Sequence, residues 1–168
     1  PVVSPELRAA MGHDAVAVLD GGLAAWQAAG GALDSGASAA VASSTAPRYP
    51  LAEASMPTVD AAALLNQPGA WCVVDARAAE RFRGDVEPLD ARAGHIPGAR
   101  NRFFRDNLAA DGRFLPADTL RVAFSAWGVP AARIAHQCGS GVTACHNLLA
   151  MEVAGHPETA LYPGSWSE

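Results

Sequence analysis

The sequence contains no lysine, and all 12 of its basic residues are arginine. This chain therefore cannot form a lysine Schiff base, and any anion site in it has to be built from arginine and backbone amides. A net charge of −5 argues against binding through bulk electrostatics, so we expect no nucleic-acid partner. Three cysteines are too few for a disulfide framework in 168 residues, which favours a reducing, cytoplasmic location.

Long apolar runs are also missing. No run approaches the length needed to span a membrane, and no signal peptide is visible, so we expect no membrane partner. Half of the residues are nevertheless apolar and only 17% are charged, which is enough to build a substantial core.

The first part of the chain predicts a short α/β segment followed by a linker. Residues 4–11 and 23–29 predict helices, and residues 14–20 predict a strand between them. The composition of residues 32–56 shifts to alanine, serine, glycine and threonine, which predicts a linker.

The second part alternates strands with helices, which predicts an α/β domain with a mainly parallel sheet flanked by helices. Thr58 is expected to cap a helix that reaches Leu65. Another helix is expected over residues 117–127. Strands are expected at residues 71–75, 133–135 and 160–162.

Cys138 lies where the second of these strands turns through a glycine-rich bend into a helix. Successive backbone N–H groups in such a bend converge on one point, and the helix N-terminus adds positive potential there. This setting favours the thiolate, which is the nucleophilic form of cysteine. We therefore interpret Cys138 as the nucleophile, Cys72 as a core residue and Cys145 as a packed helix residue.

A zinc site is a second interpretation of the same stretch. It would use His136, Cys138, Cys145 and His146. Their spacing matches no common Cys/His site, and a metal would occupy the nucleophile, so we expect no metal.

Residues 138–144, with the sequence CGSGVTA, resemble the active-site loop of the rhodanese superfamily in the form typical of 3-mercaptopyruvate sulfurtransferases. The resemblance implies a three-layer rhodanese-like catalytic domain over residues 57–168, truncated at its C-terminal end. Residues 1–31 resemble the end of the family's other domain, which implies a remnant of a non-catalytic first domain, with 32–56 as the linker. Further motifs follow the family's order and spacing at residues 74–77, 81–84, 94–99 and 161–168.

The chemistry implied by this resemblance is the transfer of a sulfane sulfur. Cys138 would take sulfur from an anionic donor, 3-mercaptopyruvate or thiosulfate, and hold it as a persulfide without any separate cofactor. A thiol or cyanide would then accept it. Ser140 would hydrogen-bond the substrate or relay a proton, and Thr143 would bond the sulfur or cap the helix. The persulfide would be cradled by Gly139, Ser140, Gly141, Val142 and Thr143.

The resemblance also implies how the donor anion is held. Arg81 matches the arginine that binds the substrate carboxylate or sulfonate. Ser140 replaces a basic residue of the thiosulfate-preferring relatives, whereas Asp90 falls about where a second substrate arginine is usual. Arg83 and Arg92 are the candidates to replace that arginine. The family's N-terminal domain is implied as a partner that packs against this site.

The other polar residues of this stretch have simpler interpretations. Arg77 is expected to tie down the loop and is a further candidate for substrate binding. Asp85, Glu87 and Asp90 are expected to form a solvated loop.

Two other functions fit the same fold class. A cysteine phosphatase needs an arginine closing the loop around the phosphate, and Ala144 stands at that position, which argues against it. A catalytically silent rhodanese module for interaction or regulation would be expected to lack the cysteine, and Cys138 is present.

Overall fold

A four-stranded parallel sheet lies at the centre of the computed structural model, which describes residues 17–36, 56–67 and 69–168. Its order is β2-β1-β3-β4. Strand β1 pairs in parallel with β2 and β3, and β4 pairs in parallel with β3. The strands are β1 (Cys72–Asp75), β2 (Arg100–Asn101), β3 (Ile134–Gln137) and β4 (Ala160–Leu161). Because all four point the same way, their carboxyl ends form one edge, and the Cys138 loop lies there.

Helices pack on both faces of the sheet and complete three layers. In the described part of the chain they are α1 (Gly22–Ala28), α2 (Ala61–Asn66), α3 (Ala79–Arg83), α4 (Ala117–Ser125) and α5 (Val142–Val153). Three single-turn 3₁₀ helices span Phe104–Asn107, Ala131–Arg133 and Ser165–Ser167. No helix in these ranges is long and apolar enough to cross a bilayer.

The larger core lies between the sheet and the two helices α4 and α5. Ile134 is 1% exposed and Val74 is fully buried on this face. They pack in one cluster with Leu120, Phe124, Ala150, Met151 and Ala154. Leu120 and Phe124 are four residues apart on α4, so one stripe of this helix is buried while Val122 faces solvent.

A smaller core covers the opposite face of the sheet. Ala135 alternates with Ile134 along β3 and therefore points to this second face. It packs with Val59, Ala160 and Tyr162, and with residues of α2. Since β3 is buried on both faces, its sequence is continuously apolar up to His136. The predicted α/β fold with a parallel sheet is confirmed.

The predicted helix cap at Thr58 is wrong. Helix α2 begins after Asp60, whose carboxylate accepts a hydrogen bond from the backbone N–H of Ala63 at 2.8 Å. Thr58 instead forms an isolated parallel bridge with Leu161 of β4. Both residues can cap a helix, but pairing with the sheet holds Thr58 in an extended conformation.

The first segment of the chain only partly matches its prediction. The helix predicted at 23–29 is present as α1, but residues 17–19 form no strand, and Val18 and Leu19 are exposed. The remainder of that strand, the helix at 4–11 and most of the 32–56 linker lie outside the described residues. Asp20 connects this segment to the domain by accepting the backbone N–H of Phe114 at 2.9 Å.

Candidate active site

The Cys138 loop (residues 138–141) joins the end of β3 to the start of α5. Gly141 makes the final turn with φ of 84°, in the left-handed region that favours glycine. A Cβ added there would lie 3.0 Å from the carbonyl oxygen of Pro163. Both the backbone angle and the close approach therefore require glycine at this position.

Backbone amides are the main donors that this loop offers to a ligand. The six N–H groups from Gly139 to Ala144 have no acceptor within the described residues. The next amide, that of Cys145, is the first to be used inside the structure, and it donates to Gly141 at 3.2 Å. Free amides at the start of a twelve-residue helix form a receptor for negative charge.

Cys138 directly precedes these amides in the chain and is only 3% exposed. It belongs to a cluster at the carboxyl edge of the sheet with Ala76, Ala144, Cys145, Leu148 and Leu161. Ser140 in the loop is exposed, and Thr143 in the first turn of α5 is half-buried.

The 3₁₀ turn Ser165–Ser167, here called the support turn, fastens the Cys138 loop to the sheet. The Ser165 hydroxyl accepts the backbone N–H of Cys138 at 3.1 Å and donates to the carbonyl of Tyr162 at 3.0 Å. The amides of Trp166 and Ser167 donate to the carbonyls of Cys138 and Gly139 at 3.1 and 2.9 Å. Ser165 is 3% exposed and has a left-handed φ of 58°, which is uncommon for a residue other than glycine.

Arg81 is the arginine that the structure brings to the loop. A Cβ built on Gly139 would lie 3.7 and 3.8 Å from its Nη2 and Nη1 atoms. Its Nε and Nη2 atoms donate to Glu87 at 3.2 and 2.6 Å, and Nη2 also donates to Asp90 at 3.3 Å. Nη1 has no acceptor among the described residues, so it is the nitrogen that can bind an incoming anion.

Glu87 fixes the position of Arg81 through two hydrogen bonds. Its carboxylate, 4% exposed, accepts hydrogen bonds from Arg77, Arg81 and the backbone amides of Leu89 and Asp90. Burial acts to raise the pKa of Glu87, but hydrogen bonds from Arg81 and the two amides outweigh it and lower the pKa to about 2. The prediction of a solvated loop is wrong for Glu87 and also for Asp90, whose side chain is 14% exposed.

The other candidate arginines lie differently. Arg77 is 1% exposed, and its three nitrogens donate to Asp75, Glu87 and the carbonyl of Gly94. The central carbon of its guanidinium lies over the Trp166 ring, 5.0 Å from the ring centroid. This cation–π contact ties Arg77 to the support turn. Arg83 is exposed and pairs with Asp85 at 2.8 Å. Arg92 is exposed, and its carbonyl accepts the indole N–H of Trp166 at 2.8 Å.

No group of three His, Cys, Asp or Glu side chains that could hold a metal is found within residues 17–36, 56–67 and 69–168. His136 in particular turns toward the larger core, because it alternates with Ala135 and shares a face with Ile134. Neither ring nitrogen has a partner among the described residues, and burial lowers the pKa of His136 to about 3. The ring is therefore neutral at physiological pH.

Position 144, where a cysteine phosphatase would carry an arginine, is occupied by alanine. Ala144 is fully buried at the first turn of α5, and no arginine stands there to enclose a phosphate.

Comparison with known proteins agrees with this geometry. Residues 58–168 match the rhodanese-like domain. The chain belongs to this family. It is 52% identical over 158 residues to a probable 3-mercaptopyruvate sulfurtransferase of Pseudomonas aeruginosa, covering 93% of this chain and 55% of that protein. It is 44% identical over 157 residues to a putative thiosulfate sulfurtransferase of Mycobacterium tuberculosis, covering 91% of this chain and 54% of that protein.

Solved structures show the same fold. A 3-mercaptopyruvate sulfurtransferase from Leishmania major matches this rhodanese chain with a TM-score of 0.76 at 32% identity, covering 97% of this chain and 45% of that chain. The chain spans about half the length of the curated relatives it matches.

The structure brings Arg81 to the predicted Cys138 loop, but three features around them were not predicted from the sequence. These are the Ser165 bridge, the Glu87 carboxylate and helix α3, which carries Arg81. A signal for the first was present in residues 163–166, a turn cluster in which serine follows glycine.

Proposed function

We propose that the protein carrying this chain is a sulfurtransferase that moves a sulfane sulfur through a persulfide on Cys138. The observation that carries the proposal is that Cys138 is followed at the start of α5 by six amides that have no acceptor among the described residues. A persulfide terminates in a negatively charged sulfur, and converging amides stabilise that charge without any metal or cofactor. Ala144 supports sulfur transfer over phosphoryl transfer, because a phosphate would have no arginine to bind it.

The first half-reaction forms a bond between two sulfur atoms. The Cys138 thiolate attacks the outer sulfur of the donor, and the bond between that sulfur and the rest of the donor breaks. Thiosulfate leaves as sulfite. With 3-mercaptopyruvate, the electron pair goes to the methylene carbon, which takes up the proton of the donor thiol and leaves as pyruvate.

The second half-reaction regenerates the thiolate. A thiol or cyanide attacks the outer sulfur of the persulfide, and the electron pair of the sulfur–sulfur bond returns to Cys138. Ser140 is exposed at the mouth of the loop, where its hydroxyl hydrogen-bonds the donor or passes a proton. Arg81 binds the donor carboxylate or sulfonate through Nη1. Arg83 and Arg92, both exposed, remain candidates for a second anion contact.

The preferred donor in this proposal is 3-mercaptopyruvate rather than thiosulfate. Ser140 offers no positive charge to a second sulfonate oxygen, and the relative from P. aeruginosa is named as a probable 3-mercaptopyruvate sulfurtransferase. The location proposed is the cytoplasm, because Cys72, Cys138 and Cys145 are all free thiols.

We also propose that a first rhodanese domain packs beside this one. The relatives are about twice as long, and apolar side chains of α1 remain exposed in the described part of the chain. Leu23 is 59% exposed and Trp26 is 45% exposed. An apolar surface of this kind is expected to be covered by the rest of that domain.

Intact-mass measurement of the full protein tests the main proposal. After incubation with 3-mercaptopyruvate or thiosulfate, the protein is expected to gain the mass of one sulfur atom and to lose it when cyanide is added. Cys138→Ser should abolish the gain. The matched controls Cys72→Ser and Cys145→Ser change a thiol at the start of β1 and within α5, and both should retain it. Absence of the gain with both donors would overturn the proposal.

A further inference from the structure

The cluster of charged side chains around Arg81 has a net negative charge, which disfavours the binding of an anion. Arg81 and Arg77 are joined by hydrogen-bonded ion pairs to three carboxylates, those of Asp75, Glu87 and Asp90. Two positive charges against three negative charges leave this connected cluster with one excess negative charge. The arginine expected to attract the donor is therefore more than neutralised by its own neighbours.

Two of the carboxylates are structural. Asp75 accepts three hydrogen bonds from the buried Arg77 side chain and one from its backbone amide. Glu87 accepts bonds from two arginines and two amides, so the shape of the loop depends on it. Their charges are needed to bury the guanidinium groups of Arg77 and Arg81.

Asp90 differs from both because it is the outermost of the three and makes few contacts. One oxygen accepts Arg81 Nη2 at 3.3 Å, and the other accepts the Ser167 hydroxyl at 2.6 Å. In Asp90→Asn the amide oxygen can still accept the Ser167 hydroxyl, but the amide nitrogen then faces Nη2 of Arg81. Asp90 accepts one hydrogen bond from the guanidinium groups, whereas Asp75 and Glu87 each accept three, so the Asp90 charge contributes least to holding the two arginines.

We propose that Asp90 sets the charge selectivity of the site, favouring donors with one negative charge over donors with two. The proposal rests on the sulfurtransferase function and refines it. Asp90 shares Nη2 of Arg81 with Glu87, while Nη1 of the same guanidinium faces the Cys138 loop. Any anion on Nη1 is consequently held within a guanidinium's width of the Asp90 carboxylate and is repelled by it.

The repulsion acts in proportion to the charge of the donor. Thiosulfate carries two negative charges at neutral pH, whereas 3-mercaptopyruvate carries only its carboxylate. Removal of the Asp90 charge thus helps both donors, but it helps thiosulfate about twice as much in free energy. For two charges on opposite sides of one guanidinium in a half-exposed site, the selectivity ratio should move by about 3- to 10-fold.

The test is the ratio of kcat/KM for thiosulfate to kcat/KM for 3-mercaptopyruvate, measured on the full protein. Asp90→Asn should raise this ratio by about 3- to 10-fold, mainly through a lower KM for thiosulfate. Asp90→Ala removes the same charge and should move the ratio in the same direction, which gives a second reading if the asparagine variant does not fold. Asp90→Glu retains the charge and should keep the ratio of the natural protein.

A distant charge provides the matched control. Glu152→Gln also removes one negative charge, but it lies ten residues along α5 from Val142, about 15 Å from the loop. That separation exceeds the screening length of about 8 Å at physiological salt, so the ratio should stay unchanged.

The outcomes separate the two proposals. If the natural protein transfers sulfur from neither donor, the sulfurtransferase proposal fails. If it does transfer sulfur but the ratio stays within twofold in both Asp90→Asn and Asp90→Ala, the selectivity proposal is overturned. It is also overturned if Asp90→Glu shifts the ratio as far as Asp90→Asn, because that result would assign the effect to shape rather than charge.

Discussion

The Ser165 hydroxyl connects the Cys138 loop to the rest of the domain through two hydrogen bonds. In Ser165→Ala the Cys138 amide loses its acceptor and the Tyr162 carbonyl loses its donor. Ser165 is 3% exposed, so water cannot replace either partner without opening the turn. At about 1–1.5 kcal/mol for each buried hydrogen bond, the free energy of unfolding should fall by about 2–3 kcal/mol.

Denaturant unfolding of the full protein measures this loss. The midpoint should shift with the slope unchanged, and the melting temperature should fall by about 4–12 °C for a domain of this size. Ser125→Ala is the matched control, because its hydroxyl is exposed at the end of α4 and has no partner among the described residues. It should change the free energy of unfolding by less than about 0.5 kcal/mol.

The Ser165→Ala variant should also lose sulfur-transfer activity. Sulfur transfer by Ser165→Ala should drop at temperatures where the protein is still folded, because the Cys138 amide is no longer fixed. If the unfolding free energies of Ser165→Ala and Ser125→Ala agree within about 0.5 kcal/mol, the two hydrogen bonds do not support the loop and the reasoning is refuted.

Three further predictions concern the loop, the arginine and the buried histidine. Gly141→Ala should lower the free energy of unfolding by about 1–3 kcal/mol, because alanine is strained at a left-handed φ and its Cβ would crowd the Pro163 carbonyl oxygen. A denaturant midpoint equal to that of the natural protein would contradict this. Arg81→Ala should lower kcat/KM for the donor by about 10- to 100-fold through loss of a charged hydrogen bond, and an unchanged value removes Arg81 from the site. The lowered pKa of His136, about 3, means that the unfolded chain takes up a proton that the folded one refuses, so stability falls as pH drops from about 6.5 toward 3. His136→Leu should flatten that fall by about 1 kcal/mol per pH unit on average in urea titrations between pH 7 and 5, and equal slopes in both proteins would count against it.

The sequence predicted well those features whose structure is determined by residues close to them in the chain. Cys138 follows a buried strand and precedes a helix, and both patterns extend over only a few residues on either side. The helix expected over residues 117–127 is likewise present as α4, because its apolar periodicity is also a local pattern.

The residues that the sequence misjudged depend on partners far along the chain. Thr58 and Asp60 are equally capable of capping a helix, and only pairing with Leu161 decides between them. Asp90 stands in a polar stretch with every mark of a solvated loop, yet its partner Ser167 is 77 residues away. Local composition carries no information about such contacts, because they arise only when the sheet brings the two segments together.

The support turn also has a consequence for the order of events during synthesis. Ser165 follows Cys138 by 27 residues, so Cys138 leaves the ribosome well before the hydroxyl that fixes its amide. Until β4 has paired with β3, the nascent chain presents a cysteine whose loop is not held in its final shape. The Cys138 loop therefore reaches its final shape only after the surrounding sheet is in place.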